Sequence, residues 1–296
     1  MRIVYLILSL LALSCEKVIP FSDELKEKKI VVNGIFLKDS AWKIHVSESK
    51  SVIDTTTLAP LNNATVFILN QENNQIDSLH SIGNGFYISS NSPSPGTYEF
   101  HLFPENEEHI SSVNTLPAIV PAVIVDTQSF IQNNNNRLEI SLQFNDPEYK
   151  KDFYEIAVKI RQRKRLIETN SLGQIDTSYT YKDKWLNLKS DDPYLEKMTN
   201  NNLIISDEFF DGSQQTLEFS IRNKIKELST DSNNDLIFIH VYFFKISSSL
   251  YNYHRSLNTH INQSGSPFAQ PIQVYSNIQN GIGIFAGSSA QKIILY

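Results

Sequence analysis

Cys15 is the single cysteine of the 296-residue chain, and its setting assigns it a chemistry. It follows MRIVYLILSLLALS, where Arg2 gives a positive start, residues 3–13 form an almost unbroken apolar run and Ser14 is small. A secretory signal has that order: a charged start, an apolar core of roughly 7–15 residues, then a small residue before the cut. A cysteine directly after the cut is the acceptor of lipid in a lipoprotein signal. Position 12 is Ala where such signals commonly carry Leu, with Leu at 11 and 13, so the pattern is loosened. The run is too short for the roughly 20 residues a membrane-spanning helix needs. The expectation is a signal peptide over 1–14, lipid on Cys15 and a polar tether over 15–27. With its cysteine used, the fold would stand without disulfides or thiolate chemistry.

Other residues fit known chemistries less well. Asp231, Asn233 and Asp235 have the spacing that opens a calcium loop, but the sixth position is Leu236 instead of Gly and the twelfth is Tyr242 instead of Glu. A looser calcium site from Asp207, Glu208 and Asp211 competes with the simpler reading of a solvated acidic turn. The seven histidines form no His-Glu-x-x-His pair, and His254 and His260 fall on different faces of a helix. No serine sits in a Gly-x-Ser-x-Gly elbow. Gly281, Gly283 and Gly287 suggest a phosphate loop, yet Ile282, Ile284 and Phe285 alternate as a strand does, with no helix following. A glycosidase needs two carboxylates in a groove, and thirty-two acids leave the choice open. No catalytic residue, metal site or cofactor is assigned.

Aromatic residues remain. Phe209 and Phe210 lie beside Asp211 and Gly212 in a loop-like stretch. Adjacent residues of a strand face opposite ways, so one ring should emerge and could anchor a partner or stack on a sugar. Phe209, Phe210 and Asp211 are therefore the candidate binding residues.

The net charge of −6 and pI near 5.7 argue against a nucleic-acid groove. The one basic cluster, over 159–165, alternates as a strand and reads as a solvated face. Seventeen Phe and thirteen Tyr favour strands. Period-2 patterns at 42–47 and 97–102 and a buried-strand run at 64–69, with turns at Gly83-Asn84-Gly85 and Pro95-Gly96, predict a small sandwich over 28–115, immunoglobulin-like or transthyretin-like. Asn33-Gly34 reads as the turn that ends the first strand. Pro117 and Pro121 bracket a hinge. A larger β-rich domain over 122–296 is expected, with strands at 123–130, 138–144, 154–161, 217–221, 236–246, 272–275, 282–285 and 292–296. Residues 162–200 read as mainly irregular, with one or two helical turns at 192–201. Residues 248–261 are the helix candidate, with Leu250, Tyr253, His254, Leu257 and Ile261 on one face.

The segment SPFAQPIQVYSNIQNGIGIFAG at 266–287 resembles the closing block of a Bacteroidota lipoprotein family, domain of unknown function 4249. Cys15-Glu16-Lys17, VVNG at 31–34, NATV at 63–66, GNGFY at 83–87, PGTY at 95–98, FNDPEYKKDFYEI at 144–156 and ISDEFFDG at 205–212 agree with it in order. The likeness spans nearly the whole mature chain. It implies an envelope address and a layout similar to lipoproteins encoded beside TonB-dependent receptors, and it carries no catalytic or binding residue across.

The resulting expectation is a lipid-anchored outer-membrane accessory protein that binds a partner, a TonB-dependent receptor in nutrient uptake, with no nucleic-acid ligand. An envelope hydrolase of glycan or peptide is the alternative, favoured by a deep acid-lined cleft. A structural assembly factor is a third. A shallow, exposed, aromatic patch would favour binding.

Overall fold

The structure is a computed structural model describing residues 28–51, 54–105, 107–132, 135–169, 175–222, 236–264 and 272–295. The signal, Cys15, the tether, the Asp231–Asn233–Asp235 set and Phe268 lie outside those residues.

Alternation of apolar and polar residues sets the first half. In β1 (Ile30–Leu37), β2 (Lys43–Glu48), β3 (Ala64–Asn70), β5 (Phe86–Ile88), β6 (Gly96–Pro104) and β7 (Ile110–Leu116), alternate side chains turn to one core, to which β4 (Ile76–Gly83) adds Leu79. β4 turns the corner between the two layers of the sandwich: Ile76 to Leu79 pair with β3, and His80 to Gly83 pair with β5. The expected sandwich is thereby formed. Its centre is a ring cluster of Phe36, Trp42, Tyr98, Phe100 and Phe285, with Phe36 and Phe285 centroids 4.6 Å apart.

Phe285 comes from the far end of the chain. β17 (Ile282–Leu295) is one strand of 14 residues instead of two short ones. Its first half runs parallel to β1, and its second half pairs antiparallel with β16 (Leu236–Ile246). One sheet therefore runs from β13 (Glu196–Lys197) through β14 (Leu203–Ser206) and β10 (Phe153–Thr169) to β16-β17-β1-β2-β5-β4-β3-β6-β7, with β11 (Ile175–Trp185) hung on β10. Asn33-Gly34 is not a turn. β1 continues through it, and Gly34 is small because a Cβ there would lie 3.2 Å from the Phe285 ring. At Gly283, φ is +117° and a Cβ would strike the Val32 carbonyl, so this glycine permits close parallel pairing, the role of strand glycines.

The second half stacks three layers. β8 (Ala122–Gln132), β9 (Asn135–Asn145), β15 (Gln214–Arg222) and β12 (Leu188–Lys189) form a four-stranded sheet, order β12-β15-β9-β8. It packs on the sheet of β10 (Phe153–Thr169), β14 (Leu203–Ser206), β16 and β17, with β13 (Glu196–Lys197) at the edge. Tyr154, Ile156, Val158 and Ile160 of β10 point into this core. The opposite face of β10 and β16 carries α1 (Ser248–Gln263), whose first turn is capped by the Ser247 hydroxyl accepting from the Leu250 N–H. Leu250 and Tyr251 are buried, while Ile261 is exposed, so the packed face lies nearer the N-terminus of the helix than its periodicity indicates. Residues 192–201 make turns and β13 instead of helix, and 272–279 run extended with one bridge, Ser111 to Gln279. β11 (Ile175–Trp185) occupies a stretch expected to be irregular.

Candidate functional site

Two loops meet where β10 begins. The chain after β9 enters at Asp146 and returns at Asp152. The chain after β14 passes through a single 3-10 turn, Asp207–Phe209, to Gly212. Asp146, Asp152 and Asp207 are all buried, and one carboxylate oxygen from each lies within 4.8 Å of the others. Three acids so placed repel one another and call for a cation. Lys245 of β16 supplies it: the buried ammonium donates to Asp152 Oδ2. The Tyr154 hydroxyl donates to Asp146 Oδ1, and the Gly212 N–H to Asp146 Oδ2 at 3.0 Å. The Asp152 N–H donates to Asp207 Oδ2 at 2.5 Å, and the Asp207 N–H to the Asp152 carbonyl at 3.1 Å. Burial raises the Tyr154 pKa far above its ordinary value, and the Asp146 carboxylate adds to the effect. Burial also raises Asp207, against the pull of the Asp152 N–H and with the help of its acidic neighbours. The network is a latch between two loops, and the ammonium of Lys245 is its cation, bonded to Asp152. Glu208 and Asp211 are exposed and do not join Asp207 in a cluster of ligand atoms, so the three do not assemble the looser calcium site.

The latch holds the turn that carries the candidate binding residues. Phe209 is 71% exposed and lies 5.1 Å from the exposed ring of Tyr194. Phe210 packs inward, edge-on to Phe144. The two rings diverge because they sit on a tight turn, and the pair is not part of a strand. Asp211 is exposed beside them.

A larger aromatic surface was missed in the sequence. β11 pairs with β10 as an edge ribbon, first where β16 still backs β10 at Lys159–Arg163 and then beyond it, with Lys159, Arg161, Arg163 and Arg165 directly opposite Trp185, Asp183, Tyr181 and Tyr179. Directly opposed residues share a face, and the contacts bear this out. Asp183 takes two bonds from Arg161, at 2.7 and 2.8 Å, and lies 2.9 Å from Lys159. These partners hold its carboxyl far below the usual range, the Arg161 bond foremost. The Arg161 guanidinium lies 5.6 Å from the Tyr181 ring centre and that of Arg163 4.7 Å from Tyr179. The Lys159 ammonium lies 5.3 Å from the Trp185 ring. Trp185 and Tyr181 are 53% and 58% exposed. The sequence signal was the alternation of Tyr179, Tyr181 and Asp183, hidden because both faces of β11 are polar enough to resemble a loop.

A third feature is a concavity of about 620 Å³ on the outer face of the four-stranded sheet. Gln128, Glu139, Ser220 and Lys189 form one rung across its strands, and Glu218, Asp191, Asp192 and Phe130 complete the wall.

The family model for Domain of unknown function (DUF4249) matches residues 16–294. The chain belongs to this family. No curated protein matches. Among solved structures, the DUF4249 chain is similar to the major pilin SpaD from Corynebacterium diphtheriae, at 11% identity and a TM-score of 0.21, over 91% of this chain and 66% of the pilin. A putative carbohydrate binding protein from Bacteroides uniformis is 10% identical, TM-score 0.18, over 90% of this chain and 98% of that one. A DUF3823 family protein from Parabacteroides merdae is 8% identical, TM-score 0.17, over 74% and 91%.

Proposed function

We propose that this DUF4249 protein is a non-enzymatic accessory lipoprotein of the cell envelope, held at the outer membrane by lipid on Cys15, where it binds a partner protein. The partner we propose is a TonB-dependent receptor engaged in nutrient uptake. The observation that carries the binding reading is the exposed ladder of Trp185, Tyr181 and Tyr179 under Lys159, Arg161 and Arg163. Aromatic and arginine side chains dominate the energetics of protein interfaces. The signal-like head and its cysteine support the anchor.

Pulldown from mild-detergent envelope extracts tests the reading. A stoichiometric outer-membrane barrel among the recovered proteins is the expected result. Recovery of the protein alone defeats it. Cys15→Ala should leave an unprocessed, unlipidated precursor, and normal processing of that variant would remove the anchor.

The hydrolase reading has one observation in its favour, the carboxylates of Glu139 and Glu218 in a single concavity. A glycan and peptide hydrolysis screen in which wild type turns over a substrate and Glu139→Gln with Glu218→Gln does not would establish it instead.

A further inference from the structure

The ribbon has an open edge. Among the described residues, β11 pairs with β10 alone, along all eleven of its positions, and its other edge has no strand beside it. Nearly every residue of that strand is exposed. A strand edge presents a row of unpaired N–H and C=O groups, and such an edge is a template for another extended chain.

The side chains say which chain fits. The ribbon, residues 159–169 with 175–185, carries seven cations (Lys159, Arg161, Arg163, Lys164, Arg165, Lys182 and Lys184) against Glu168, Asp176 and Asp183, on a protein whose net charge is −6. The two faces differ. Thr180, Lys182 and Lys184 lie on one face of β11, and Tyr179, Tyr181, Asp183 and Trp185 on the other, where Arg161 neutralises Asp183. A strand laid beside β11 places its own alternate residues against those two rows. Residues beside Lys182 and Lys184 must be acidic, and those beside the aromatic rings must be apolar or aromatic. A second copy of this chain would bring the same seven cations to the interface, which charge disfavours.

We infer that β11 is a docking edge for an extended segment of the partner protein in which acidic residues alternate with apolar or aromatic ones. This deepens the partner-binding reading and rests on it. The partner's backbone supplies affinity by extending the sheet, and the two rows of side chains supply register. A slip of one residue would move the carboxylates off Lys182 and Lys184 and onto the row that holds Tyr181 and Asp183.

The test uses the intact mature protein and synthetic peptides of roughly nine residues, about one strand long, in which Glu alternates with Val and Tyr. The expected result is saturable binding by calorimetry and chemical-shift changes along β11. Binding should weaken at least tenfold with Lys182→Glu and Lys184→Glu together. It should also be lost when alternate peptide nitrogens on the docking edge are methylated, which removes backbone donors and leaves every side chain. Equal binding of both N-methylated registers, or of a peptide with Lys in place of Glu, overturns the inference. So does self-association that cross-links β11 to β11. If the peptides fail to bind while envelope pulldown with the double Lys variant still recovers a stoichiometric barrel, the edge is wrong and the accessory reading stands. If wild type recovers no partner, that reading falls as well.

Discussion

Among the described residues, the sandwich around Phe285 buries only neutral side chains, while Arg137, Asp146, Asp152, Glu155, Asp207 and Lys245 are all buried in the three-layer half. The aromatic cluster of Phe36, Trp42, Tyr98 and Phe285 gains from area and close packing, which need no partner of defined charge. The Asp146–Asp152–Asp207–Lys245 latch gains little net stability from its charges, because desolvation opposes their attraction. What it does is fix two loops in one arrangement, at the base of the turn that exposes Phe209. One half is held by packing, and the other uses buried charge to hold a surface in place.

Variants should separate the two kinds of support. Phe285→Ala empties the centre of the sandwich and should cost about 3–5 kcal/mol, read by urea denaturation. Because β17 also pairs with β16, hydrogen exchange should rise in both halves. Loss confined to β1 and β6 would show that the halves are energetically separate. Lys245→Met leaves three carboxylates without their cation and should cost about 3 kcal/mol or slightly more. Adding Asp152→Asn should return most of it, and no recovery would mean that Lys245 acts through packing. Phe210→Ala should cost about 2–3 kcal/mol as a half-buried core ring, whereas Phe209→Ala should stay within about 0.5 kcal/mol and weaken partner capture. Equal losses of stability would place both rings in the core.

Asp207→Asn gives the smallest shift in the latch and the clearest sign. The folded state raises the Asp207 pKa above its unfolded value of 3.8. Its favourable contribution is therefore complete below that value and lost as pH rises through the folded pKa. Asn keeps an acceptor for the Asp152 N–H without the charge. The variant should be more stable than wild type at pH 7, with the gap closing toward pH 4. A gap that widens on acidification would reverse the assignment.

The sandwich was legible because each of its strands has one wet face, so Trp42, Ile44 and Val46 alternate visibly with Lys43, His45 and Ser47. The helix was legible from its spacing, although the buried face moved to Leu250 and Tyr251. The site was less so. Lys245 stands alone in an apolar strand, VYFFKI, a signal that a buried counter-charge is needed, but its partner Asp152 lies 93 positions away and nothing local joins them. β11 has no buried face, so burial wrote no pattern into it. Gly34 beside Asn33 has a turn's local chemistry, overruled by a ring from the opposite end of the chain.

That ring has a consequence for how the protein is made. Val31 stands beside Ile282 in the parallel pair, so the first strand waits for a neighbour about 250 residues later. While the nascent chain is still emerging, the seat for Phe285 between Phe36 and Phe100 stays empty and the N-terminal sandwich has an unfilled wall. Completion of the sandwich is thereby deferred until synthesis is nearly finished, because a contact of such sequence separation forms only when both ends of the chain are present.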